Sequence, residues 1–266
     1  MLVIFSCQKE GIETVKKQVE HIEEKFVPTE VGDKTILIKG GSYTPLYGRD
    51  SVMVSVNDFY IDKNPVTQEA YLQFVIKNPS WRKSQMKEIF ADKNYLQEWK
   101  DDTTLFSATN PNTPVTNVSW FAAKAYCSCQ GKRLPTIDEW EYVAMADETL
   151  QDARTLPSFN QKILDWYEQP KSFRNPIGMT PENFWGIQDM HGLVWEWTSD
   201  FNSVMISGES RKDGSTDNSL FCGTGSLGAN DLMNYAAFMR YAFRGSLKAK
   251  YCVRNLGFRC AKDKEK

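Results

Sequence analysis

The side chains best able to do chemistry in this chain are its cysteines, Cys7, Cys127, Cys129, Cys222, Cys252 and Cys260, and its two histidines, His21 and His191. Paired thiolates are soft ligands that select cuprous ion and supply an electron-rich centre at which oxygen can be activated. Cys252 and Cys260 stand eight positions apart in "FMRYAFRGSLKAKYCVRNLGFRCAKD", residues 238–263, which raises the question of whether Cys252 is a catalytic thiol or a bystander. A non-haem iron site needs several imidazoles, and only two histidines are available. There is no Gly-Lys-Ser/Thr phosphate loop and no G-x-S-x-G elbow. A formal charge of −2 and a pI near 5.8 leave no electrostatic footprint for nucleic acid.

The elements that must position these groups are legible in the patterning. "TILIKGGSYTPLYG" reads as strand, tight turn at Gly40-Gly41 and second strand, and "SVMVSVNDFYID" as an alternating strand. After the turn at Asn64-Pro65 comes an amphipathic helix capped by Thr67, with Glu69 in its first turn. Residues 80–113 are polar with scattered aromatics and read as helix and irregular loop. "PVTNVSWFAAKAYCSCQGKRLPTIDEWEYVAMA" supplies two more helices: Ser119 caps the first, Gly131 ends it, and Thr136 with Glu139 forms a capping box on the second. Long loops carrying Gly, Pro and Trp join the rest. Residues 34–262 form one α+β domain rich in irregular structure, with 263–266 as a tail.

The N-terminal segment is of another kind. "MLVIFSC", residues 1–7, is similar to the end of a bacterial lipoprotein signal, with Cys7 as the lipidated residue. Residues 8–33 read as a stalk, with Ile12, Val15, Val19, Ile22 and Phe26 on one helical face and His21 among the charges. Lipidation would place the domain in the bacterial cell envelope, as a periplasmic or outer-membrane lipoprotein anchored to the membrane by its lipid, where disulfides persist. No stretch reaches the roughly 18 apolar residues of a membrane-spanning helix, and the mean hydropathy is −0.50.

Five segments, "ILIKGGSYTPLYG", "VNDFYIDKNPVTQEAYLQFV", "PVTNVSWFAAKAYCSCQGKRLPTIDEWEYVA", "FWGIQDMHGLVWEWTSD" and "NLGFRCA", occur in the order found in the formylglycine-generating enzyme, or sulfatase-modifying factor, family. The resemblance spans about residues 34–262 and implies that family's fold, which is related to C-type lectins and poor in regular secondary structure. Within the family the chain looks most like the NirV subgroup, named for its association with bacterial nitrite reductase genes. Formylglycine-generating enzymes oxidise a substrate cysteine with oxygen and one Cu(I) held by two cysteines, in a Gly-Gly-Ser turn followed by Cys-x-x-x-x-Cys.

Register decides where that motif would lie. The family places an arginine fifteen positions before the Asn of "NLGFRC", and Arg-Ser four positions after it. Here Arg240 stands fifteen before Asn255 and Arg244 four after Arg240, so "RGS" at 244–246 is the later segment and Cys252 is incidental. The Gly-Ser turn then corresponds to Gly225-Ser226, and the two copper positions fall near Asp231 and at Ala236. Neither is cysteine, and no copper site of the family type is expected.

The resemblance also implies a disulfide between Cys127 and Cys260. With Cys7 lipidated, Cys129, Cys222 and Cys252 remain, an odd set in which Cys222–Cys252 is a conceivable second bridge. Carried over by position, Cys222, Gly225, Ser226, Asp231, Tyr235 and Arg240 line the family's peptide groove, with His191 either helping to line a pocket or packed in a turn. Arg240 and Arg244 either bind a peptide carboxylate or carbonyl bidentately or serve as buried structural cations. A family calcium ligand, the Asn after the Gly of "DMHGLVWEW", is replaced by Leu193, which has no side-chain oxygen. Glu196, and the set Arg133, Glu139 and Glu141, read as structural ion networks.

The expected protein therefore has no assigned cofactor. It is an exported accessory or maturation factor that binds a peptide or protein partner, serving a periplasmic copper enzyme of the nitrite reductase type. The alternative is a formylglycine-generating oxidase with a rearranged copper site that uses Cys222 and a second thiol.

Overall fold

The computed structural model describes residues 34–46, 52–169, 171–203 and 232–265. Cys7, the expected stalk with His21, and Cys222, Gly225, Ser226 and Asp231 lie outside these.

The two ends of the described chain meet in one sheet. β1 (Thr35–Ile38) pairs antiparallel with β4 (Phe59–Asp62), whose other edge takes β7 (Ala261–Asp263). β4 alternates as its pattern predicts, with Phe59 and Ile61 turned into the core and Tyr60 and Asp62 half-buried. β2 (Gly41–Tyr43) pairs with β3 (Val54–Val56) and not with β1. Gly40 is therefore required for close approach rather than for a hairpin: a Cβ there would stand 2.3 Å from the Val56 carbonyl oxygen. The expected single strand over 51–62 is broken at Asn57-Asp58, where the Asp58 carboxylate accepts from the Gly40 amide at 2.8 Å. A short parallel pair, β5 (Trp195–Glu196) and β6 (Leu256–Gly257), completes the strands.

Three helices follow the cap signals. α1 (Gln68–Lys77) begins where Thr67 Oγ1 accepts from the Ala70 amide, and α2 (Trp120–Cys129) where Ser119 Oγ accepts from Ala122. Gly131 at φ +66° follows the end of α2, a left-handed position that costs glycine nothing. α3 (Ile137–Ala144) carries the Thr136/Glu139 capping box. Two further helices lie in stretches read as loop or groove. α4 (Pro157–Tyr167) has Pro at its start and no side-chain cap, and α5 (Leu232–Gly245) carries the register positions expected near the groove. The segment 244–263 is the end of α5, an irregular run and the short β6 and β7.

The main core surrounds Tyr71, whose ring meets Phe74, Trp99, Tyr126 and Phe258 at centroid distances of 5.3–6.2 Å. Cys127 and Cys260 form a disulfide within it, across 133 positions of sequence. Closing so long a loop is worth about 2–5 kcal/mol. Cys129 and Cys252 are buried thiols: Cys129 Sγ accepts from Asn78 Nδ2, and burial pushes the Cys252 thiol well up. A second cluster joins β1 and β4 to Trp140, Val143 and Met190, and a third packs α4 against α5 through Phe159, Ile163 and Ala236. Together these make a single α+β domain.

Candidate functional site

α3 lies between two buried ion networks, because neighbouring side chains on it face different partners. Trp140 donates through Nε1 to Glu196 Oε2 at 2.9 Å, on β5. Glu196 in turn accepts from Arg259 Nε and Nη2, each at 2.8 Å, and both side chains are fully buried. Arg259 spends its remaining donors on the carbonyls of Asp62, Lys63 and Gln188, so every N–H of the guanidinium is satisfied. The "WEW" carboxylate is thus a structural tie between β5, the end of β4 and the Cys260 segment.

Glu141, the next residue, faces α5. Its carboxylate accepts from Arg240 Nε and Nη2, the latter at 2.8 Å, and from Arg244 Nη1 at 2.6 Å. Burial alone would raise this carboxyl, but the two guanidiniums outweigh it and hold it at about 2. Arg240 also donates from Nη1 to the Ala236 carbonyl, and Arg244 lies 4.8 Å from the centre of the Trp140 ring. Arg240 and Arg244 are therefore buried ion-pair partners of Glu141. The expected bidentate contact exists, with its acceptor inside the protein. The remaining expected network also divides: Arg133 pairs bidentately with Glu139 and further with Asp263, apart from Glu141.

Ala236, the second copper position by register, faces inward from α5 against α4 and is 1% exposed. Its carbonyl accepts from Tyr167 Oη at 3.0 Å as well as from Arg240. A methyl group packed on an apolar helix face offers a metal nothing, so the residue present does not fit the family's dithiolate copper. Five residues before Arg240 on α5, Tyr235 is 38% exposed.

His191 packs edge-on to Trp140 and Phe159, with ring centroids 5.7 and 6.0 Å away. Its Nε2 lies 2.9 Å from the Ala144 carbonyl oxygen, which can only accept, so Nε2 carries the hydrogen. Burial, reinforced by the charge on Arg240, pushes the imidazole down to about 3. The ring therefore both packs in the turn and forms part of a cleft wall. Leu193, at the family's calcium position, is buried, and its carbonyl accepts from Ser172 Oγ. Among the described residues no group of three or more His, Cys, Asp or Glu is arranged to hold a metal ion. Nor is any helix there long and apolar enough to cross a membrane.

Two participants escaped the sequence reading. Tyr167 ties α4 to the Ala236 carbonyl, and the spacing of Phe159, Ile163 and Trp166 was the signal that could have disclosed its helix. Asp189, at φ +59° and 1% exposed, accepts from Asn64 Nδ2, the Gly178 and Thr180 amides and Thr180 Oγ1. Nothing in its local sequence marks it.

Residues 22–264 match the family described as the Sulfatase-modifying factor enzyme 1-like domain. The chain is 26% identical over 195 residues to serine/threonine-protein kinase pkn1 of Chlamydia caviae, covering 70% of this chain and 31% of that protein. It is 32% identical over 185 residues to the formylglycine-generating enzyme of Bos taurus, covering 62% and 47% of the two chains. It is also 26% identical over 209 residues to chaperone protein LppX of Paenibacillus barcinonensis, covering 66% and 74%. The chain thus spans about a third of the length of the kinase and about half that of the bovine enzyme.

Proposed function

The chain belongs to the sulfatase-modifying factor enzyme 1-like family, and from that membership we propose that it is a non-oxidase member, an accessory or maturation factor that binds a peptide or protein partner. The observation that carries this reading is Ala236. At the register position of a copper-binding cysteine stands a buried methyl on a helix fixed by Glu141, Arg240, Arg244 and Tyr167. A relative named as a chaperone is in keeping with a binding role.

In this reading the partner contacts the surface around Tyr235 and the segment carrying Cys222, Gly225, Ser226 and Asp231. Arg240, buried on the same helix as Tyr235, fixes that helix to Glu141. The "MLVIFSC" segment supports lipidation at Cys7 and residence in the bacterial cell envelope. The similarity to the NirV subgroup supports service to a periplasmic copper enzyme of denitrification, and family membership supports a fold related to C-type lectins.

Oxygen uptake tests the proposal. With a Cys-x-Pro-x-Arg peptide, reductant and added Cu(I), the protein is expected to consume no oxygen above the protein-free control and to leave the peptide thiol unchanged by mass. Formylglycine in the peptide would establish the alternative, an oxidase with a rearranged copper site. In that case Cys222→Ser should abolish the product.

A further inference from the structure

We propose that the cleft at the C-terminal end of α3 binds a protonated amine carried on an apolar stem. The inference does not depend on the accessory-factor reading.

The cleft encloses about 420 Å³, within the range of small-ligand sites, and lies between α4 and the loop over 180–192. Its apolar lining includes Phe159, Ile163, Trp166 and Met190. Into this wall is set His191. Because Nε2–H is committed to the Ala144 carbonyl, Nδ1 of the neutral ring can only accept, and the buried Nδ1 has no hydrogen-bond partner among the described residues. A buried acceptor left unmatched calls for a donor.

The charges around the cleft specify which donor. Asp147, Glu148 and Asp189 line it, with Lys162 as the lining cation. Lys162 stands 3.5 Å from Glu148. Asp189 is held only by neutral donors, and Asp147 accepts through Oδ1 from Thr149 and Leu150; neither has a salt-bridge partner among the described residues. The cleft also adjoins the end of α3, where helix carbonyls favour positive charge. Arg240 and Arg244, which act on the His191 ring, share the single Glu141 carboxylate and leave one positive charge there, fewer than the carboxylates that line the cleft. An ammonium group with an aromatic or aliphatic stem suits all three features, whereas a carboxylate of the same shape faces repulsion.

Phenethylammonium, phenylacetate and 2-phenylethanol are isosteric probes of opposite, and zero, charge. Titrated into the full chain by NMR, phenethylammonium is expected to shift the Trp166 indole and His191 ring signals saturably, with phenylacetate weaker by roughly tenfold. Asp147→Asn should weaken phenethylammonium by about threefold and leave 2-phenylethanol unchanged. Ile163→Trp, which fills the cleft, should abolish both. Nα-acetyl-lysine methylamide distinguishes the source: binding comparable to phenethylammonium identifies a partner's lysine, and weaker binding a free amine, each upholding the class. Phenylacetate binding as tightly as the amine, shifts mapping outside the cleft, or no saturable shift would overturn the proposal.

Discussion

Two buried carboxylates meet at α3, Glu141 on the helix itself and Glu196 on β5 beside it, and they are handled differently. Glu196 meets one arginine, Arg259, whose five N–H groups are all used, on Glu196, the Asp62 and Lys63 carbonyls at the end of β4, and the Gln188 carbonyl. Glu141 is shared by two arginines that both belong to α5. The first arrangement fastens distant parts of the chain to each other, close to the disulfide. The second fastens one helix, the one bearing Ala236 where a copper ligand would stand. A fold can keep its frame and change its site when the two are secured by separate ion networks.

Breaking each network in turn should expose this separation. The largest effect is expected at Arg259→Met, which leaves Glu196 buried with Trp140 Nε1 as its remaining donor among the described residues. Urea denaturation should show a loss of about 3–5 kcal/mol, partly recovered by adding Glu196→Gln. Glu141→Gln should cost nearly as much, about 3 kcal/mol, because it strands two buried guanidiniums, although an amide oxygen still accepts and Arg244 still lies over Trp140. Hydrogen exchange would sharpen the contrast: amides of 232–245 should accelerate in Glu141→Gln while those of β4 and β7 stay protected. Equal acceleration in both regions would mean that the networks are one unit.

The third effect depends on pH. His191 titrates far below an unfolded histidine, so the unfolded chain takes up a proton first as pH falls. Stability from this group is fully present above about 6.5 and declines by up to ~1.4 kcal/mol per pH unit toward its folded value of about 3. Glu141 acts in a lower window. Its carboxyl is depressed to about 2, so its contribution is present above about 4.5 and is lost below. His191→Phe should therefore flatten the stability profile between pH 6.5 and 4.5 and leave the steeper loss below it. The smallest effect is expected at the exposed Tyr235→Ala, within about 0.5 kcal/mol.

What could be read from the sequence divides along the same line. Thr67, Ser119 and Thr136 announce their helices because a cap is a local bond between neighbouring residues. The family resemblance supplied the Cys127–Cys260 pairing, and Glu196 was recognisable as structural because a buried carboxylate needs a cation. α5 was hidden because two of its buried positions, Arg240 and Arg244, are charged, and their inward side chains interrupt the apolar periodicity that reveals a helix. α4 was hidden by its start at Leu156-Pro157, without a capping side chain. The pairing of β2 with β3 escaped because the chain folds back onto Gly40, a contact that no local pattern records.

Cu(I) titration of the fully reduced protein against a chromogenic chelator tests the central claim most directly. With Ala236 in place of a ligand cysteine, the protein is predicted to leave the copper with the chelator, and Cys222→Ser to behave identically. One tightly held copper per chain that disappears in Cys222→Ser would contradict the account.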